Sequence, residues 1–364
     1  MHAGIALANL GDLIVKQNAE KRDFVVPTTR LELVAAGRDV PGLRFDLDGS
    51  SITADVTPHA MNQIAGWANI PRKYSDVLTS DPKHFELLEQ NANHWLAQSD
   101  AKRMVRTFIG DQSVARAFLS DRYRPLDNYD LAHAIMPMLT SNGMEVKSAS
   151  LTETRLYIQA VDMKLQAKIK PSVHQREVDD TVYAGIVISN SEVGSGSLSI
   201  EAMLYRLVCT NGLIAGDRFR RAHLGRALGG GDNDAVEMFS DNTKKLTDAA
   251  LWAQVHDVVN ASLSEATFQA VVAKFQAATT MEIPDFDPKR VVEVTAQRLN
   301  LSDYESDAVL KNLFTAGDPT IYGLTNAVTR VAQDVKSYDR AIELERLGSE
   351  VLTFDPQMFS KYLN

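Results

Sequence analysis

Residues 182–189 read VYAGIVIS, an uncharged run rich in β-branched side chains. That is the composition of a buried strand. Residues 190–197, NSEVGSGS, follow as a small-residue loop whose glycines let the backbone turn sharply. Leu198 and Ile200 then alternate, and Met203, Leu204, Leu207 and Val208 fall at near-helical spacing. The segment is strand or helix up to about Glu201, and a helix is expected from there. After Cys209-Thr210-Asn211-Gly212 come Arg218, Arg220, Arg221 and Arg226, with Phe219 and His223 among them. The rest of the chain is organised around this strand, loop and arginine cluster.

A length of 364 residues suffices for one large or two ordinary domains. A hydrophobic fraction of 45% and a charged fraction of 23% are those of a globular protein. The net charge of −9 excludes a wholly basic nucleic-acid coat, but charge distribution matters more than its total. Residues 101–226 carry 17 Lys and Arg against 13 Asp and Glu, whereas the segments before and after are net acidic. Cys209 stands alone, so neither an intrachain disulfide nor a cysteine-based zinc site can form, and a reducing cytoplasm is expected. No apolar run approaches the roughly 18 residues of a membrane span. The first residues lack a basic leader and include Asp12, so no signal peptide is expected.

Taken in order, residues 1–20 read as a helix and 24–33 as extended around Pro27. Residues 44–53 read as a hairpin turning at Asp48-Gly49. Thr57-Pro58 opens a helix with a hydroxyl cap and a proline in its first turn. A second helix begins at Asp81-Pro82 with Phe85, Leu87, Leu88, Trp95 and Leu96 as its core face. Residues 103–109 and 114–119 read as strands, and Asp130–Leu139 as a helix capped by Asp127 or Asn128. Residues 146–149 and 155–161 read as an antiparallel pair, and 164–180 as a long polar connection. Gly229-Gly230-Gly231 marks the boundary between an α+β domain, 1–228, and a helical region, 229–364. In the latter, Leu324 to Val351 line one continuous helical stripe.

Catalytic signatures are weak. NSEVGSGS has no Gly-Lys-Ser/Thr and lacks the spaced glycines of a dinucleotide loop, so a plain turn is the better reading. Gly-x-Ser-x-Gly is absent around Ser191, Ser195 and Ser197. Cys209 sits in the apolar run LVCT, the setting of an inert core thiol. His59, His84 and His94 do not have the four-residue spacing of a helical metal site. Asp121, Asp127 and Asp130 are close enough in sequence to bind a hard cation, but read better as ion pairs and caps. No catalytic residue, metal or cofactor is assigned.

Arginines are the stronger signal. Arg103, Arg106 and Arg116 alternate with apolar residues on two strands. Arg122, Tyr123 and Arg124 form one basic loop, and Arg218, Phe219, Arg220, Arg221 and Arg226 a second. Guanidinium groups for phosphates and aromatic rings for stacking are the parts of a single-strand-binding surface. The alternative is a solvated sheet face with ordinary salt bridges.

SDRYRPLDN, YRLVCTNGL, YGLTNAV and RAIELERLGSEVL resemble the phage/plasmid-like proteins grouped as domain of unknown function 932, over roughly residues 20–352. The resemblance implies a bacterial or phage-infected cytoplasm and supplies no catalytic residues. Strands at 146–161 and 182–189 followed by a helix from about 201 are similar in order to the β-β-β-α core of single-strand annealing proteins. The expected fold is α+β, a mixed and mostly antiparallel sheet region followed by a helical C-terminal region. The expected function is single-stranded nucleic-acid binding in phage or plasmid DNA metabolism, in annealing or recombination, with a homo-oligomer in view. Two alternatives stand beside it: an acidic protein that blocks or recruits a host factor, and an enzyme acting on nucleic acid or nucleotides.

Overall fold

The computed structural model describes residues 4–47, 49–174, 180–206, 212–221 and 241–360. The fold is α+β, with strands in two separate sheets. Helix α1 (Leu7–Glu20) leads directly into the first sheet. Its strands are β1 (Lys21–Pro27), β2 (Leu31–Val34), β3 (Gly42–Leu47), β4 (Ser50–Val56), β5 (Lys102–Phe108) and β6 (Val114–Ser120), in the order β1-β5-β6-β4-β3-β2. Every pairing is antiparallel except β4 with β6, so the sheet is mixed, as expected. The expected hairpin is β3–β4, with Gly49 at φ 86° in its turn.

Residues 24–33 are not one extended piece. A single 3₁₀ turn at Thr28–Arg30 separates β1 from β2, and Thr28, fully buried, donates its hydroxyl to the Ser99 carbonyl. Between β4 and β5 lie α2 (Pro58–Trp67), α3 (Arg72–Ser80) and α4 (Phe85–Ala97). Thr57 caps α2 by accepting from the Ala60 N–H at 3.2 Å, as its hydroxyl and the following proline foretell. In α4 the buried residues are Phe85, Leu88, Ala92 and Leu96, at helical spacing. Leu87 and Trp95, expected on that face, are 44% and 45% exposed. Ile64, Leu78 and Leu88 share one core with Leu33, Phe45 and Val105 of the sheet.

The second sheet follows α5 (Asn128–Ser141) and is an antiparallel meander: β7 (Glu145–Leu151), β8 (Leu156–Ile169), β9 (Asp180–Asn190), β10 (Leu198–Arg206) and β11 (Gly212–Arg221). Two expectations change here. Residues 164–169, read as part of a polar connection, continue β8 and pair with β9 from Gln166↔Tyr183 to Ile169↔Asp180. Leu165, Ala167 and Ile169 alternate with Gln166 and Lys168, the period of a strand with one wet face. The helix expected from about 201 is strand instead, because β10 pairs with β9 from Ser199 to Arg206. Eight of its nine residues are buried, so both faces carry apolar side chains, and the alternation that starts at Leu198 and Ile200 gives way to a chance helical spacing after Glu201. The helix that the annealing-protein comparison placed at about 201 is therefore not present among the described residues.

One face of this sheet is covered by α1, α5 and α6 (Asp241–Ser262), where Ile14, Leu131, Ile135 and Val255 meet Ile158, Ile186, Ile188 and Ile200. The other is covered by the C-terminal helices, and Tyr157, Val161, Val187 and Met203 pack against Tyr338 and Ile342. The buried strand expected at 182–189 is thus the middle strand of the sheet, with Ile186 and Val187 both fully buried, one on each face. Beyond α6 come α7 (Glu265–Ala278), α8 (Pro288–Leu299), α9 (Asp303–Ala316), α10 (Ile321–Val331) and α11 (Tyr338–Val351). They share a core with Ile169, Val182, Ala184, Leu204 and Leu213. Of the expected stripe, Leu324, Val328, Val331, Val335, Ala341, Leu344 and Val351 are buried and Leu347 is half-buried. The helix is not continuous, however. Ala332–Ser337 separates α10 from α11, and the Ser337 hydroxyl caps the second by accepting from the Arg340 N–H at 3.3 Å. The triple-glycine boundary at 229–231 lies outside the described residues.

Candidate nucleic-acid interface

Arg106 and Arg116, on adjacent strands of the first sheet, do not face solvent. Arg106 is fully buried. Its Nε donates to Asp23 Oδ1 at 2.9 Å, Nη1 to the Glu192 carbonyl at 2.7 Å and Nη2 to Asp127 Oδ1 at 2.7 Å. A bulge between Arg106 and Thr107 breaks the strand alternation, and Val105, Arg106 and Thr107 are buried in succession. Burial works against the guanidinium charge, but Asp23 and Asp127 outweigh it and raise the Arg106 pKa. Arg116 is 6% exposed, with Nη2 2.7 Å from Glu192 Oε2 and its guanidinium carbon 4.0 Å from the Phe108 ring centroid. Burial pulls its pKa down, and Glu192 only partly offsets that. Both residues, expected to meet phosphates, instead tie β5 and β6 to the loop after β9. Arg103 is half-buried over Trp67 and Phe118, 5.5 Å from each ring centroid.

Asp127, expected as a side-chain cap of α5, makes no cap hydrogen bond. Its carboxylate binds Arg106 and Lys21 instead. Burial opposes that charge, and the two cations overcome it, holding the carboxyl below its ordinary pKa. Glu192 joins the same junction by accepting from the Asn128 N–H at 2.6 Å through Oε1. The aspartates of this region do not converge on a cation site. Among the described residues no group of three or more His, Cys, Asp and Glu could hold a metal ion.

The loop 190–197 behaves as the expected turn. Ser191 is fully buried, and its hydroxyl oxygen accepts from the N–H groups of Val193 at 3.3 Å and Ser195 at 3.0 Å. Gly194 has φ 78°. His59 packs here too, its Nε2 2.9 Å from the Val193 carbonyl oxygen. In the neighbouring basic turn Arg122 is exposed and Arg124 half-buried. The Tyr123 hydroxyl donates to the Ser191 carbonyl at 3.4 Å, and burial pushes its pKa up to about 12.

One end of the second sheet collects the remaining arginines. Arg155 immediately precedes β8 and donates from Nη2 to the Ser195 carbonyl at 2.9 Å. A side chain at Gly196 would bring its Cβ to 1.4 Å from that nitrogen, so the glycine is what lets Arg155 lie along the loop. Register carries this end across the sheet: Leu156 pairs with Asn190, Ser189 with Ser199, and Leu198 with Arg221. Three strand spacings separate β8 from β11, about 14 Å. On β11, an edge strand, Arg218 pairs with Glu201, Phe219 with Ile200 and Arg220 with Ser199. The side chains of these β11 residues, and Arg226, Cys209 and His223 entirely, lie outside the described residues. Arg155 carries no sequence signal of its own, and only the pairing of distant strands shows its position.

Two clefts open near this end. One of ≈ 100 Å³ lies among Arg116, Arg155, Asn128, Thr152, Glu153 and Glu192. The other, of ≈ 750 Å³, lies between α5 and α6, with Pro125, Leu126, Tyr129, Asp130, His133 and Trp252 in its walls. Tyr129 and His133 stack one helical turn apart, with ring centroids 6.4 Å apart and planes at 29°.

The family model of a domain of unknown function (DUF932) matches residues 116–348, and the chain belongs to that family. No curated protein and no solved structure matches the chain. No helix among the described residues is long and apolar enough to cross a membrane.

Proposed function

We propose that this member of the domain of unknown function 932 family binds single-stranded nucleic acid in phage or plasmid DNA metabolism, in the cytoplasm of a bacterial host. The observation that carries this reading is the gathering of Arg155, Arg122 and Arg124 with the β11 segment Arg218–Arg221 at one end of the five-stranded sheet. Strands β8 and β11 stand about 14 Å apart, and arginines borne at the same end of both suit a flexible polyanion better than a single small anion. With a net charge of −9, binding a polyanion calls for a local cluster of cations, and this end supplies one. The reading does not rest on the annealing-protein order of elements, whose expected helix from about 201 is a strand here. It stands on charge placement alone, and annealing or recombination is the activity it would serve.

The test is fluorescence anisotropy of labelled single-stranded DNA, duplex DNA and RNA across a salt titration. Single strands are expected to bind, with log affinity falling against log salt by roughly 0.7 per phosphate contact. Wild-type protein that binds none of the three at low salt overturns the reading. The acidic protein that engages a host factor then becomes the leading account.

A further inference from the structure

We infer that the cleft between α5 and α6 receives one unstacked base of the bound strand. The inference deepens the reading above and rests on it. The cleft begins at Pro125, the residue after Arg124 of the basic turn, so a strand held there by its phosphates has its bases beside the opening. Tyr129, 36% exposed, and His133, also exposed, offer a two-ring platform from one face of α5. Trp252, half-buried on α6, supplies an indole to the opposite wall. Leu126 and Leu251 add apolar surface. A volume of ≈ 750 Å³ is that of a small-molecule pocket and accommodates a purine or a pyrimidine. Aromatic walls beside cations are what base stacking with phosphate anchoring requires, and every base has a face that stacks.

The experiment compares a single-stranded oligonucleotide of mixed sequence with an abasic oligonucleotide of the same length, by anisotropy at one fixed low salt concentration. The proteins are wild type, Tyr129→Ala, Trp252→Ala and Trp252→Phe, each checked by circular dichroism and melting. Wild type should prefer the base-bearing strand, and Tyr129→Ala and Trp252→Ala should each weaken that strand roughly tenfold while barely changing the abasic one. Trp252→Phe, which keeps a ring in a partly packed position, should retain most of the preference. Equal wild-type affinity for the two strands overturns the cleft while leaving phosphate binding intact. Equal losses on both strands in folded Tyr129→Ala overturn it as well. Wild-type binding to neither strand overturns the single-strand reading and the cleft together.

Discussion

Arg106 Nη2 donates to Asp127 Oδ1 at 2.7 Å, and this bond joins the interior of β5 to the residue that precedes α5. The two side chains are 0% and 14% exposed, so the pair is held in a low dielectric with Asp23 and Lys21 beside it. Removing one member leaves the other charge buried without its partner, which costs far more than the pair itself contributes. Arg106→Ala is expected to lower unfolding free energy by about 3–5 kcal/mol, read from urea titrations. Asp127→Asn, which keeps the shape and one acceptor, should cost less. Replacement of Arg106 with no shift in the urea midpoint would show that the junction bears no load.

That junction also shows where sequence reading stops. Arg106 and its partners Asp23 and Glu192 lie more than eighty positions apart, and nothing local to any of them announces the others. Alternation of arginine with apolar residues looks the same whether the polar face meets water or a second layer of protein. Local chemistry was legible where one or two residues decide a conformation: Asp48-Gly49 in the hairpin, Thr57-Pro58 at the start of α2, the uncharged run of β9. It failed in β10, whose double burial hides the strand period, and in β8, whose wet end looks like a connection. The arginine-rich end of the second sheet was half legible. Arg218–Arg221 and Arg122–Arg124 are clusters in the sequence, but Arg155 and the α5–α6 cleft exist only once strand pairing and helix packing bring distant segments together.

The break between α10 and α11 lets the two helices cross closely, and Gly348 is where they meet. A Cβ there would stand 2.2 Å from Thr329 Cγ2 and 3.2 Å from Leu213 Cδ1. Both neighbours are core residues with little room to retreat. Gly348→Ala should destabilise by about 1–3 kcal/mol despite the better helix propensity of alanine. Adding Thr329→Ser removes the colliding methyl but keeps the hydroxyl that donates to the Thr325 carbonyl at 3.0 Å. The double variant should therefore recover part of the loss. Thermal unfolding of the four proteins measures the coupling, and strict additivity would place the strain elsewhere.

Glu305 gives the fold an acid-sensitive tie. The Arg340 guanidinium, bonded to both of its carboxylate oxygens, holds the carboxyl down at about 2, and the Ser302 N–H of the α9 cap assists. A folded pKa below the ordinary 4.5 means that this stabilisation is complete above 4.5 and is lost as pH falls from there toward about 2. Glu305→Gln should cost about 1–2 kcal/mol at pH 7, since solvent screens part of the pair. The gap between wild type and variant in urea midpoint should then narrow between pH 4.5 and 2.5. A gap that stays constant down to pH 2.5 would exclude the carboxylate as its source.

The nucleic-acid reading separates two kinds of contact, and the salt slope tells them apart. Each phosphate neutralised by a cation releases counterions, so a lost phosphate contact lowers affinity and also flattens the salt dependence. Arg155→Ala should reduce that slope by roughly 0.7 for a single strand. Its structural cost is small, because the side chain is only half-buried and its hydrogen bond goes to the exposed Ser195 carbonyl. The triple replacement of Arg218, Arg220 and Arg221 by alanine should flatten the slope by about two units if all three touch phosphate. Phe219→Ala, between them on the same strand, should cost about 1–3 kcal/mol of affinity through lost stacking with the slope unchanged. Arg116 serves as the contrast: it is 6% exposed and paired with Glu192, so Arg116→Lys should lower the melting temperature and leave the slope alone. A slope that responds to Arg116 and not to Arg155 would move the binding surface from the second sheet to the first.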